Sequence, residues 1–438
     1  TMTLTEAAFW SKRLGVIVIG IFAFILLVAL IVYNPGNVEL PPQYLTPNCA
    51  CTKTADEFLG HALTIPTYEI SPNSTPQYAI QTETGVLDDN LPDIVNVYKY
   101  TDLGEKINAQ SLAKVLAGKM GFKAEEIRTL GTKEYIWQDF ETQRALRVTV
   151  ADLNFTLTTN ISKIRSARAA ADLPSEEEAK RIAKSVLTEL GVYLSDFNEG
   201  AVLTYLININ EDGSYTEADS LLNAELIRVD FHKTFPLISI PSNIVGADRM
   251  RASLENRNMA AIVDQMTIND KTVEVYNFKT YVTHQNPNKS NVSVYVGPES
   301  KDFKKLKNIY QIDYKSWKIE PESCGTYPLI SAAVAEEKIK NGEGSLVFLD
   351  KNGDEVAQYT PQEVKQFLIT NITITYYEGS IVQHFLQPVY FFTGEAELAD
   401  GTRADFGIYY PAINYDIVTD KIELKPTPVQ DSTGLGLF

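Results

Sequence analysis

The chain has 438 residues, with 39 Lys+Arg against 56 Asp+Glu, a formal net charge of −17, and only three cysteines and four histidines. A chain this acidic offers no basic stripe to neutralise phosphates, which excludes nucleic acid as a partner, and three cysteines exclude a disulfide framework as the basis of the fold. His61, His232, His284 and His384 are too scattered for metal-ligand spacing, so neither a metal nor a cofactor is expected.

Residues 1–13 form a short stub ending in Lys12-Arg13, and Leu14–Tyr33 is a run of twenty uncharged, almost wholly apolar residues. At roughly 1.5 Å per residue such a run spans the roughly 30 Å hydrocarbon core of a bilayer. Lys12 and Arg13 flank its short side and no Lys or Arg follows Tyr33 closely, so the stub is expected in the cytoplasm and the rest of the chain outside it. The run exceeds the apolar core of a cleaved signal, about 7–15 residues, and ends Ala29-Leu30-Ile31-Val32-Tyr33 without a small-residue cleavage pattern. A soluble core helix would carry a polar face, which this run lacks. A single uncleaved transmembrane anchor is therefore predicted.

Residues 34–93 read as a membrane-proximal linker. Pro35, Pro41, Pro42 and Pro47 make Asn34–Asn48 an extended spacer, Thr54-x-x-Glu57 predicts a short capped helix running to about His61, and Asp88–Pro92 is a loop. Cys49-Ala50-Cys51 lies in this linker and Cys324 stands far away. A local Cys49–Cys51 bridge, a bridge from one of the pair to Cys324, and free thiols are all open.

Beyond the linker a helix closed by glycine and followed by strands recurs three times, in units 94–165, 174–320 and 321–425, with a tail at 426–438. In the first unit Asn108 is the N-cap candidate, Leu112, Val115, Leu116 and Met120 make the apolar stripe, and Gly121 closes the helix. Strands are predicted at Glu134–Gln138, Leu146–Val150 and Phe155–Thr159. In the second, Ser175 and Glu178 form a capping box, and Ala179, Ile182, Ala183, Val186, Leu187 and Leu190 form one stripe ended by Gly191. Strands follow at Leu203–Ile209 and Ala224–Phe231. An insertion at Pro236–Tyr314 holds strand-like Thr272–Val282 and Val292–Val296 and an ambiguous Ala247–Met266. The third helix begins after Ser331 and ends near Gly342, with strands at Ser345–Leu349, Asn371–Tyr377, Val389–Phe392 and Ala404–Tyr409. An apolar helix face must be covered and each strand group offers a cover. The predicted fold class is α+β: an N-terminal transmembrane helix, then repeated helix-on-antiparallel-sheet modules.

The third unit resembles the C-terminal part of extracytoplasmic regulatory proteins of the YycH/YycI kind, built of PepSY-like modules. The residues that carry the likeness are Tyr327-Pro328-Leu329, Gly342-Glu343-Gly344, Ile372–Tyr377, Leu386–Gly394 and Tyr409–Ala412, with Ile227–Phe231 also in keeping. The resemblance implies a partner-binding, non-catalytic ectodomain whose partners are sensor kinases or secreted peptidases.

The residues themselves point the same way. Asp350-Lys351-Asn352-Gly353-Asp354 has calcium-loop spacing, but position twelve is Pro361 where a bidentate Glu is required. A hairpin through Asn352-Gly353, with Ser345–Leu349 and Glu355–Tyr359 as its arms, explains the run better. Asp212-Gly213 and Asp400-Gly401 read as further turns. Glu176-Glu177-Glu178 is a helix start that complements the dipole. No Ser or Cys carries a nucleophile signature, so no catalytic residue is assigned. Tyr376, Tyr377, Tyr390, Phe391, Phe392, Tyr409 and Tyr410 cluster in the last unit, as core or as a tyrosine-bearing partner face. The expected function is a membrane-tethered, extracytoplasmic, non-catalytic regulatory or binding protein with an envelope or membrane protein as partner and no small-molecule substrate. An envelope scaffold that binds the cell wall is the alternative.

Overall fold

The computed structural model describes residues 47–54, 57–58, 63–83, 85, 87, 92–101, 103, 106–161, 173–256, 259–268, 271–351, 356, 358–418 and 427–428. The Leu14–Tyr33 run, most of the proline-rich spacer and the Asn352-Gly353 turn lie outside them. Among the described residues no helix is long and apolar enough to cross a membrane.

The described chain is mainly β, with 42% of those residues in strands and 16% in helices, which corrects the expected series of helix-on-sheet modules. The helices form much as their local signals predict. Helix α1 (Ala109–Lys119) lacks a side-chain cap from Asn108, whereas α2 (Glu176–Leu190) is capped by Ser175, whose hydroxyl accepts from the Glu178 amide at 3.3 Å, and closed by left-handed Gly191. Helix α3 (Ala247–Glu255) and the strand Ile262–Ile268 divide the ambiguous segment between them. Helix α4 (Ala332–Lys340) is capped by Ser331. The helix expected after Thr54 is replaced by two short antiparallel strands, Thr52–Thr54 and Glu57–Phe58.

The strands do not stay within their units. Among the described residues the first and second units merge into one antiparallel sheet of nine strands. Ile309–Tyr314 from the second pairs with Phe155–Thr159 from the first, in the register Ile312↔Leu157. An unpaired strand edge leaves a row of amides and carbonyls without partners, and joining two small sheets edge to edge removes two such edges. Both α1 and α2 pack on one face of this sheet, against Trp137, Leu146, Phe155, Val229 and Val294. Helix α1 buries Ala109, Ala113, Leu116 and Ala117. Leu112 and Val115, expected inward, are 47% and 58% exposed.

Among the described residues a second sheet of ten strands draws on the linker and all three units. Its long central strands, Val364–Tyr377 and Phe385–Leu398, pair antiparallel. Strands from the supposed insertion, Thr234–Pro241 and Lys271–Thr283, extend it on one side. The supposed linker contributes Gln77–Ile80, and Ile94–Lys99 pairs with Gly325–Pro328 and with Phe385-Leu386. At its far end Ser345–Asp350 pairs with Arg403–Pro411 rather than with a hairpin arm, and Val356 and Gln358–Thr360 carry no strand. Helices α3 and α4 share one core with Tyr376, Tyr390, Phe392 and Tyr410. Tyr377 and Tyr409 point into a core on another face, under Leu63 and Ile65. Both faces of the aromatic strands are thus covered, so six of the seven clustered rings are buried and only Phe391 is half-exposed.

Candidate functional site

Among the described residues the chain crosses between the two sheets four times, and three of these crossings converge. His232-Lys233 joins Leu226–Phe231 to Thr234–Pro241, residues 284–291 join Lys271–Thr283 to Val292–Val296, and residues 315–324 join Ile309–Tyr314 to Gly325–Pro328. They meet in a sealed polar junction. Lys233, 1% exposed, gives its ammonium to a Glu378 carboxylate oxygen at 2.8 Å and to the Trp317 carbonyl at 2.7 Å. Glu378 follows the central strand Val364–Tyr377, so one side chain ties two crossings to the second sheet. Beside it, Arg228 and Asp230 form a second buried pair at 3.1 Å. The Arg228 guanidinium reaches the Asn288 carbonyl at 2.6 Å and lies 4.1 Å from the Tyr205 ring centroid.

Titration follows from burial. Burial raises the Glu378 carboxyl above the usual range despite Lys233. His284 is held well below its ordinary value by burial first, then by His232 and Lys233. His232 is lowered by burial too, and the two rings lie 5.8 Å apart. Ser290, His284 and Glu378 stand in the order of a hydrolytic triad, with Ser290 Oγ 3.3 Å from His284 Nε2 and His284 Nδ1 4.0 Å from a Glu378 oxygen. The bonding is structural instead. Ser290 donates its hydroxyl proton to the Phe231 carbonyl at 2.6 Å, and His284 Nδ1 faces the Glu378 main-chain carbonyl at 3.3 Å. All three side chains are buried, whereas a nucleophile must meet substrate.

The outward side of the 284–291 crossing borders an open cleft of about 470 Å³ between the sheets. Asn286, Asn288 and Lys289 form one wall, with Tyr215 from the neighbouring hairpin; Tyr68, Phe348, Gln358 and Tyr359 form the other. Asp212-Gly213 makes the predicted turn of that hairpin, the Asp212 carboxylate accepting from the Ser214 amide at 2.9 Å. Lys289 is held by Asp313 at 2.9 Å, Asp313 also accepts from Gln311 at 3.0 Å, and Gln311 accepts from the Tyr215 hydroxyl at 2.9 Å. Burial opposes the Lys289 charge, but Asp313 outweighs it and raises the ammonium above its ordinary value.

Of the cysteines, Cys51 and Cys324 form a disulfide with Cα atoms 4.9 Å apart. Cys49 is a half-buried free thiol that burial pushes up. His232 and His284 come together, His61 lies outside the described residues, and His384 lends its carbonyl to the Tyr100 amide. Among the described residues no group of three or more His, Cys, Asp or Glu is placed to hold a metal ion. Sequence reasoning missed the Lys233–Glu378 pair because 145 residues separate its members. The only local hint was a charged residue between two strands.

No family model matches the chain and no curated protein matches it, so the likeness to YycH/YycI-type regulators rests on the quoted residues alone. The chain is similar to a solved structure, that of an uncharacterized protein from Eubacterium rectale ATCC 33656, at 11% identity and a TM-score of 0.34, over 78% of this chain and 90% of that one.

Proposed function

We propose that this chain is a membrane-tethered, extracytoplasmic, non-catalytic regulatory protein that works by contact with an envelope or membrane protein. The observation that carries the reading is the outer strand Ile262–Ile268. It pairs with Lys271–Thr283 on one side, has no strand on its other side among the described residues, and leaves Ile262, Val263 and Met266 48%, 45% and 49% exposed. An open, apolar strand edge is a template for a partner's strand. The Cys51–Cys324 disulfide fits an oxidising compartment. The Leu14–Tyr33 run would hold the edge near membrane partners at high effective concentration.

The test places a photo-crosslinking amino acid at Gln265 of the full chain in its native cells. The expected result is one discrete adduct with a membrane or secreted protein, lost when Val263→Lys and Met266→Lys are added. No adduct, or an adduct indifferent to the two lysines, would sink the proposal. The cleft favours the second reading, a wall-binding scaffold, because its tyrosines and amides suit polysaccharide. That reading predicts high copy number and sedimentation with the cell wall after detergent extraction.

A further inference from the structure

The cleft between the sheets is lined by a stacked pair of rings and by side-chain amides that have no hydrogen bond among the described residues. Tyr68 and Tyr359 stack with centroids 4.4 Å apart, and Tyr359 is fixed by donating its hydroxyl proton to the Glu69 carbonyl at 2.7 Å. Across the cleft the Asn288 main chain is clamped at both ends: its amide donates to Asn286 Oδ1 at 2.9 Å and its carbonyl accepts from Arg228. Asn288 and Gln358 both line the cleft, and neither side-chain amide has a hydrogen bond among the described residues. A rigid backbone presenting an unused amide is a recognition feature, since each amide offers donors and acceptors together.

Charge narrows the ligand. Lys289 is neutralised by Asp313 and Lys351 by Asp400, and the chain carries −17 overall. Phosphates and other anions gain little here. An extended peptide would draw affinity from a run of free main-chain groups on a strand edge. The end strand Ser345–Asp350 already commits the Leu346 amide to Thr67 Oγ1 and its carbonyl to the Tyr68 amide. A pyranose ring has what the lining complements: an apolar C–H face for an aromatic surface and a rim of hydroxyls for amides. About 470 Å³ falls within the range of small-ligand sites, roughly 300–1,000 Å³.

We propose that the inter-sheet cleft binds a neutral oligosaccharide, with a sugar ring against the Tyr68–Tyr359 pair and its hydroxyl or acetamido groups on Asn288 and Gln358. This assignment is independent of the strand-edge partner, and loss of the Gln265 crosslink would leave it untouched.

The experiment titrates the full chain, in micelles free of sugar headgroups, with chitotetraose, maltotetraose and a capped tetraserine peptide, by calorimetry and saturation-transfer NMR. At least one sugar should bind. Asn288→Ala should weaken it tenfold or more with an unchanged unfolding temperature, and Tyr359→Ala should weaken it as much while lowering that temperature, because the ring also packs on Tyr68 and the core. Exposed Gln358→Ala, which removes no packing, decides the matter should either of those variants misfold, and should weaken binding at least threefold. The assignment is overturned if neither sugar binds at millimolar concentration, if the variants bind as the parent does, or if tetraserine binds equally well.

Discussion

Replacing Lys233 by Met keeps the bulk of the side chain and strips Glu378 of its counter-charge, inside a junction where the two side chains are 1% and 2% exposed. Breaking a buried pair from one side costs about 3–5 kcal/mol. Glu378 has an exit, because it can take up a proton. For a carboxyl of ordinary pKa, about 4.3, protonation at pH 7 costs about 2.7 pH units at 1.36 kcal/mol each, or about 3.7 kcal/mol. The expected loss at pH 7 is therefore about 3–4 kcal/mol, with a further contribution of about 1 kcal/mol from the Trp317 carbonyl that loses its donor. The proton becomes cheaper as pH falls, so the loss should shrink by about 1.4 kcal/mol per pH unit and be about 2 kcal/mol smaller at pH 5.5 than at pH 7. Lys233→Met with Glu378→Gln removes both charges and should recover about 2 kcal/mol relative to the sum of the single losses. Urea unfolding followed by circular dichroism at the two pH values measures all of this. A single-variant loss below about 1 kcal/mol at pH 7, the same loss at both pH values, or strict additivity in the double variant would refute the reasoning.

Three further outcomes follow from the geometry. The Cys51–Cys324 bridge spans a sequence separation of 273, a closure whose chain-entropy value is about 5.6 kcal/mol; Cys51→Ser with Cys324→Ser should melt well below the parent, and a shift under about 2 °C would mean the closure contributes little. His284 is buried neutral with its folded pKa depressed, so its contribution to stability is full above the unfolded value and is lost as pH falls through about 6.5 and below. His284→Gln should remove up to about 1.4 kcal/mol per pH unit of acid sensitivity between pH 7 and 5.5, and parallel urea midpoints for parent and variant would contradict this. At Gly200 an added Cβ would sit 1.6 Å from the His232 carbonyl oxygen, so Gly200→Ala must push a loop off the junction and should cost about 3 kcal/mol. Gly213→Ala, with positive φ but open space, should cost only about 1 kcal/mol, and equal costs would show that the close approach is not what matters.

The amino-acid sequence by itself determined the elements whose causes lie within a few residues. Phe155–Thr159 and Val292–Val296 form strands over the spans that alternation and β-branching predict. Ser175 and Gly191 bound α2 as cap residues should, and Asp212-Gly213 turns where its small, positive-φ glycine allows. Tertiary structure decided which strand meets which. A main-chain amide bonds any carbonyl in register, so nothing local in Phe155–Thr159 names Ile309–Tyr314 as its neighbour, or draws the Ile94–Lys99 strand into the second sheet. The same holds for the rotation of α1, where close approach to the sheet favoured the alanine face over the bulkier Leu112 and Val115. It holds most for the candidate site. The Lys233–Glu378 pair and the cleft beside it exist only because three crossings converge between the two sheets, and the desolvation that shapes them is a property of that junction rather than of any segment that enters it.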